Sequence, residues 1–445
     1  MENENRIEIY AARQEGYCLK NNQIEDKLFQ EFGVNRGLRN ERGVGVLTGL
    51  TNISKVNGAH VVNGEKVPME GELWYRGYRI EHLVEEVRKE GFGFEKIAYL
   101  LLFGEMPTKA QQAEFFEVLR RATRLPTNFT RDVIMKAPSR DIMNSMTRSI
   151  LTLASYDRRP NDLRLDNVIR QCIQLIAIFP MLAVYSYHAH NHIDNNQSMY
   201  IHRPDPNLSQ AENFLRMLRP DSQYTELEAQ ALDIALILHM EHGGGNNSTF
   251  TTRVVTSSGS DTYSAIAAAM CSLKGPKHGG ANIKVMQMMQ DIREHVSDVH
   301  DEDEICAYLK KILDHTAFDG AGLIYGMGHA VYSLSDPREK VFHSYVEELA
   351  HAKGWEDSLA LYTTVEKLAP QLIAEQRQIF KGVSPNVDFY SGFVYDMLGI
   401  PQELFTPLFA VARIVGWSAH RIEELVGSSK IIRPAYKSVM KKLEE

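Results

Sequence analysis

Helical periodicity is the strongest constraint on this chain. In "RIEHLVEEVRKEG" (79–91), Ile80, Leu83, Val84 and Val87 recur at the spacing that puts apolar side chains on one helical face. "FEKIAYLLLFGEMPT" and "AQQAEFFEVLRRATRLP" follow in the same style, each closed by Gly or Pro. The one clear β signal is "ISKVNGAHVVNGEKV", whose Asn57-Gly58 and Asn63-Gly64 suit hairpin turns. The expectation is an all-α fold with a short N-terminal β-hairpin region. Segment 284–391 carries its own helices, such as "IKVMQMMQDIREHV" and "DEICAYLKKILDH", between glycine-rich stretches. That pattern predicts a small helical domain, 284–391, inserted into a large one formed by 1–283 and 392–445.

Bulk properties narrow the function. With 445 residues the chain can bury a large core, and 44% hydrophobic with 24% charged residues is ordinary for a soluble globule. A net charge of −8 argues against a nucleic-acid or anionic-membrane surface, so an anionic substrate needs a local basic pocket. Cys18, Cys172, Cys271 and Cys306 are scattered without a CxxC, which fits a reducing cytosol. The polar start "MENENRIEIYAARQEG" lacks a signal-peptide core. The apolar run Leu175 to Tyr185 is too short to span a bilayer and contains Pro180. A cytoplasmic protein is expected.

Four stretches could carry chemistry. "YGMGHAVYSLSDPR" (325–338) sets His329 between glycines and Arg338 behind Asp-Pro, as a stiff loop would present a donor and a cation to a small anion. An ordinary surface turn would read the same way. "LHMEHGGGNNSTF" places His239 and His242 three apart, a spacing compatible with one helical face. Zinc is one reading, although the helical zinc signature needs i, i+4 with a glutamate between. Substrate binding and a buried structural histidine are the others. "KGPKHGGAN" puts His278 at a bend before a helix starting near Asn282, where the dipole favours an uncharged, hydrogen-bond-donating ring. "SPNVDFYSG" sets Asp388 among Val387, Phe389 and Tyr390, where a raised pKa would make it a base and a helix cap is the plain alternative.

Arg413, in "LFTPLFAVARIVGWSAH", has apolar neighbours, and the nearest acids along the chain, Glu403 and Glu423, are ten residues away. A buried guanidinium there needs a distant side chain or a bound anion. Arg433 in "KIIRPAY" is a weaker case of the same kind. "YHAHNH" (His188, His190, His192) has no acidic or cysteine ligand beside it and reads as a polar helix end. "HGGGNN" lacks the Lys-Ser/Thr of a phosphate-binding loop.

Together these blocks resemble the citrate synthase family, in order from about Gly45 to Arg433: "GELWYRGYRIEHL", "FEKIAYLLLFGEMPT", "LHMEHGGGNNSTFTTRVV", "LKGPKHGGAN", "GMGHAVYSLSDPR", "NVDFYSG" and "FAVARIVGWSAH". The resemblance implies an all-α homodimer that condenses acetyl-CoA with oxaloacetate and hydrolyses the citryl thioester, with no metal or redox cofactor. Carried over by motif, Asp388 would abstract the methyl proton, His278 would stabilise the enol(ate) and His329 would polarise the oxaloacetate carbonyl. His242, Arg338 and Arg413 would hold oxaloacetate, with Arg433 of the partner subunit completing the clamp.

The chain departs from the family at Ala330 and Ser333, where many members carry a basic residue near the CoA phosphates. Arg39 and Arg42 in "RGLRNERGVG", or Lys274 and Lys277, are the candidate replacements. Two rival readings stay open. One is 2-methylcitrate synthesis from propanoyl-CoA, since one methylene is worth only about 1–3 kcal/mol of discrimination. The other is a zinc hydrolase built on His239 and His242.

Overall fold

The computed structural model describes residues 2–40, 44–62, 65–377, 382–427 and 430–440. It is 61% helical, and the expected all-α class holds. The chain divides into two compact units. The first comprises Met1–Leu50 and Arg433–Glu445, with helices Glu2–Asn21 and Asp26–Glu31. None of its described side chains is buried.

The second unit, Thr51–Ile432, contains the hydrophobic core. Helix Leu165–Asp194 packs against helix Phe405–Gly427 at its centre. The expectation of a short apolar run is corrected here. The run is the middle of a 30-residue helix, long and apolar enough to cross a membrane by length and composition. Yet 78% of its apolar window is buried inside the protein, so it serves as the core helix. Pro180 removes one backbone donor, and the carbonyl of Ile176 thus freed accepts from Gln210 Nε2 at 3.3 Å. The polar helix end expected at 188–192 is a helix end, but His188 and His190 are buried there.

The β signal becomes a three-stranded antiparallel sheet of Ser54–Val62, Glu65–Tyr75 and Tyr78–Arg79. Asn57-Gly58 is not a turn. The register shifts between Asn57 and Ala59, which is a bulge, and a Cβ on Gly58 would come within 2.5 Å of the Val331 carbonyl oxygen. Asn63-Gly64 lies outside the described residues.

Segment 284–391 holds helices Glu302–Leu313, Pro337–Lys353 and Glu356–Arg377, most of helix Ala281–His295, and the start of helix Val387–Met397. Side-chain capping starts the helices that matter for the site. Thr225 and Glu228 form a capping box on Glu226–His239, Asp336 caps Pro337–Lys353 with proline at the first position, and Asn386 caps Val387–Met397. Each cap supplies an acceptor to an otherwise orphaned N–H, worth about 1 kcal/mol.

Candidate active site

His242 is not on a helix. Helix Glu226–His239 ends three residues earlier, so the two histidines of "LHMEH" diverge. The His239 ring is fully buried against Phe409 (4.4 Å between centroids), Phe342 and Tyr395, with no hydrogen-bond partner among the described residues. His242 instead faces His329, ring centroids 5.0 Å apart, and Tyr332. A shared metal on His239 and His242 does not fit these directions. Among the described residues no group of three His, Cys, Asp or Glu side chains could hold a metal ion.

The His329 loop is fastened to the segment leading into Asp388. Gly328 N–H donates to the Ser384 carbonyl at 2.8 Å, Asn386 N–H to the Gly326 carbonyl at 2.9 Å, and Asn386 Nδ2 to the Gly328 carbonyl at 2.8 Å. Gly326 has φ +80°, and a Cβ there would lie 2.9 Å from the Phe389 ring, so only glycine suits the crossing. His329 Nδ1 accepts from the backbone N–H groups of Val331 (3.0 Å) and Tyr332 (3.2 Å). A nitrogen that accepts carries no proton, so Nε2 is the donor. The Tyr332 ring stacks on His329 at 4.7 Å.

Arg338 and Asp388 are joined through Asp336. The Asp336 carboxylate takes two hydrogen bonds from the Arg338 guanidinium, at 3.0 and 2.7 Å, a third from the Arg338 backbone N–H that it caps, at 3.0 Å, and a fourth from the Val387 N–H at 3.3 Å. Burial opposes the Arg338 charge, but Asp336 outweighs it and holds the guanidinium above its ordinary pKa. Asp388 is half-buried at the second position of helix Val387–Met397. Burial pushes its carboxyl up to about 6. Asp336 adds to that shift, and the Arg338 and Arg413 charges limit it.

Arg413 is fully buried. Its Nε donates to the His239 carbonyl at 2.6 Å and its guanidinium carbon lies 4.7 Å from the Phe409 ring centre, while one terminal nitrogen has no partner among the described residues. Burial lowers its pKa to about 10, with Glu241 the strongest opposing charge. Of the two partners expected for Arg413, a distant side chain or a bound anion, Glu241 is a distant side chain that acts through space, without an ion pair between them among the described residues. A buried, unfilled N–H is costly to leave unmade, and an anionic ligand would satisfy it.

His278 lies in the bend before helix Ala281–His295. Its Nε2 faces Ser248, 3.3 Å from the N–H and 3.0 Å from the hydroxyl. The backbone N–H can only donate, which leaves Nδ1 to carry the ring proton. Burial first, then Arg413, lowers the ring to about 4, and His242 is held well below the ordinary value by burial and then Arg338. Both histidines are uncharged donors at neutral pH.

Six of the predicted residues thus share one neighbourhood: His242 touches His329, Arg338 acts on His242 and Asp388, and Arg413 acts on His242, His278 and Asp388. The remaining candidates stand differently. Arg39 and Arg433 are exposed residues of the first unit, and Arg42 lies outside the described residues. Lys274 is exposed and paired with Asp141 at 2.5 Å, while Lys277 is exposed on the bend next to His278.

Sequence reasoning missed Asp336 as a bridge, Tyr332 against two histidines, and Ser248, whose hydroxyl also accepts from Trp417 Nε1 at 3.1 Å. Asp before Pro at a helix start was a readable capping signal. The other two pairings carried no local mark.

Comparison with known proteins identifies the family of the chain. Residues 42–435 match the family profile described as citrate synthase, C-terminal domain. The chain is 35% identical to a citrate synthase of Synechocystis over 368 residues, covering 82% of this chain and 84% of that protein. It is 33% identical to 2-methylcitrate synthase 2 of Corynebacterium glutamicum over 394 residues, covering 88% and 92%. Among solved structures, citrate synthase from Pyrobaculum aerophilum superposes with a TM-score of 0.73 at 29% identity, covering 90% of this chain and 92% of that one. The Thermoplasma acidophilum citrate synthase, solved as a ternary complex with carboxymethyl coenzyme A and oxaloacetate, gives 0.73 at 28% identity, covering 90% and 96%. A carboxyl raised to about 6, two uncharged histidines and two buried guanidiniums lie inside the matched region, and the chain belongs to the citrate synthase family of acyltransferases.

Proposed function

We propose that this enzyme condenses acetyl-CoA with oxaloacetate and water to give citrate and CoA. The observation that carries the reading is the placement of the Asp388 carboxyl, raised to about 6, within the field of Arg338 and Arg413. A base with that pKa is ionised at neutral pH yet basic enough to take a carbon-bound proton.

Asp388 abstracts a methyl proton from acetyl-CoA while His278 donates from Nδ1 to the thioester oxygen, so the enol(ate) forms without a free charge. The new carbon nucleophile attacks the oxaloacetate ketone, and His329 Nε2–H protonates the developing alkoxide. Water then cleaves the citryl thioester and releases CoA. His242, Arg338 and Arg413 bind oxaloacetate. The unfilled Arg413 nitrogen matches a carboxylate oxygen, since guanidinium and carboxylate pair in plane.

The reading extends to a homodimer in which Arg433 of the partner subunit completes the carboxylate clamp, and to a small domain, 284–391, closing on a large one, 1–283 and 392–445. Closure keeps water out until the carbon–carbon bond exists. Of the CoA-phosphate candidates, Lys277 is favoured over Lys274, which Asp141 already engages, with Arg39 and Arg42 as further contributors. The protein is cytoplasmic in this account and needs no cofactor. Product analysis tests the central step: citrate must accumulate from acetyl-CoA and oxaloacetate in step with free thiol. Thiol release without citrate would defeat the proposal.

A further inference from the structure

We infer that Glu241 is a positioning residue for the oxaloacetate side of the site, an inference that rests on the function proposed above. Glu241 precedes His242 and is completely buried, a costly place for a carboxylate. One oxygen, Oε1, collects three donors: Ser54 Oγ at 2.8 Å, the Gly243 N–H at 2.6 Å and His420 Nε2 at 2.9 Å. The His420 ring is fixed from its other side, because Nδ1 accepts from Arg253 Nε at 3.1 Å, so Nε2 must bear the proton given to Glu241. Arg253 is in turn held by Glu424 at 2.8 Å and by Glu423.

The glycine turn rests on this assembly. A Cβ on Gly244 would lie 3.4 Å from His420 Cε1 and 3.5 Å from Arg253 Nε. Gly416, inside helix Phe405–Gly427, admits the same segment, because a Cβ there would come within 2.3 Å of the Met240 carbonyl oxygen and 2.5 Å of Glu241 Oε2. Two consequences follow for the site. The turn that presents His242 is pinned through Gly243 to a fixed carboxylate. The same carboxylate offsets the Arg413 charge while its hydrogen bonds hold it on Ser54, Gly243 and His420, leaving the Arg413 terminal nitrogen open for a substrate carboxylate. Burial alone would raise Glu241; His420, Arg413 and Ser54 hold it at about 2, so it stays ionised.

Glu241→Gln tests this, since it keeps the shape and one acceptor and removes the charge. Oxaloacetate binding is read by calorimetry without acyl-CoA, and steady-state constants are read separately. The expected result is a rise of about tenfold in both the oxaloacetate Kd and its KM, as for loss of a charged hydrogen-bond partner. The acetyl-CoA KM should stay within about twofold. Arg253→Gln, which frees His420 Nδ1, should give a smaller rise of the same kind, and it decides the matter if Glu241→Gln does not fold. An oxaloacetate Kd equal to wild type in the folded variants overturns the inference, even if their Tm falls. Wild-type protein that binds no oxaloacetate would overturn the proposed function and this inference with it.

Discussion

Asp336 and Arg338 form a buried two-point pair, 3.0 and 2.7 Å, and the carboxylate that holds the arginine also accepts from the backbone N–H next to Asp388. One side chain therefore links the Arg338 cation, proposed to bind oxaloacetate, to the backbone that carries the candidate base. It also spends part of the Arg338 charge, so the field at Asp388 is the difference of two opposing groups.

Asp336→Asn should leave the helix cap largely intact and the guanidinium uncompensated. Breaking one side of a buried ion pair costs roughly 3–5 kcal/mol. Denaturant unfolding should show a loss of that order, and the oxaloacetate KM should rise at least about tenfold as Arg338 seeks another partner. A variant with unchanged unfolding free energy would show that the pair contributes nothing.

Asp388→Asn should lower kcat by at least about a hundredfold, the lower range for a general base, with oxaloacetate still bound. The same change should stabilise the protein at neutral pH. The folded carboxyl keeps its proton to about pH 6, whereas in the unfolded chain the ordinary value of 3.8 applies. Between those values the folded state binds more protons, so this group's contribution to stability falls as pH rises from about 4 to 6. Removing the charge should recover about 1–3 kcal/mol at pH 7 and nothing at pH 4, measured by urea unfolding at both. An equal change at the two pH values would contradict the raised carboxyl.

The pH profile of kcat/KM should show an acidic limb near pH 6, because protonated Asp388 cannot act as a base. His278, at about 4, titrates below that limb. Arg338 is the largest influence lowering Asp388, so Arg338→Gln should move the limb to higher pH while reducing the rate. A limb that stays in place would assign it to another group.

Arg433 is tested by subunit exchange. Arg433→Leu and Asp388→Asn should each be nearly inactive alone. In the proposed homodimer, a mixed dimer contains one site with both residues intact if Arg433 acts across the interface, so activity should return on mixing. Verified exchange without recovered activity would place Arg433 elsewhere.

The sequence made some of this legible and hid the rest for physical reasons. His278, His329, Asp388 and Arg338 lie in short blocks where Gly, Pro or a capping residue marks a special backbone, and such signals are local. Arg413 stood out because a charge within an apolar helix demands a partner, but the partner's identity did not. Glu241 lies 172 positions away, and its bond to His420 joins residues 179 apart. Gly58 read as a turn because Asn-Gly favours one; the Val331 carbonyl packed against it, a contact across the fold, makes it a bulge. His239 and His242 shared a face on helical spacing, which failed because the helix stops at His239.

The most direct test compares acetyl-CoA and propanoyl-CoA as partners of oxaloacetate, following thiol release in EDTA-treated protein. The account predicts release only with oxaloacetate present, no loss of rate on chelation, and a higher kcat/KM for acetyl-CoA. Release without oxaloacetate, or activity abolished by EDTA, would contradict the condensation mechanism, and a higher kcat/KM for propanoyl-CoA would make the enzyme a 2-methylcitrate synthase instead.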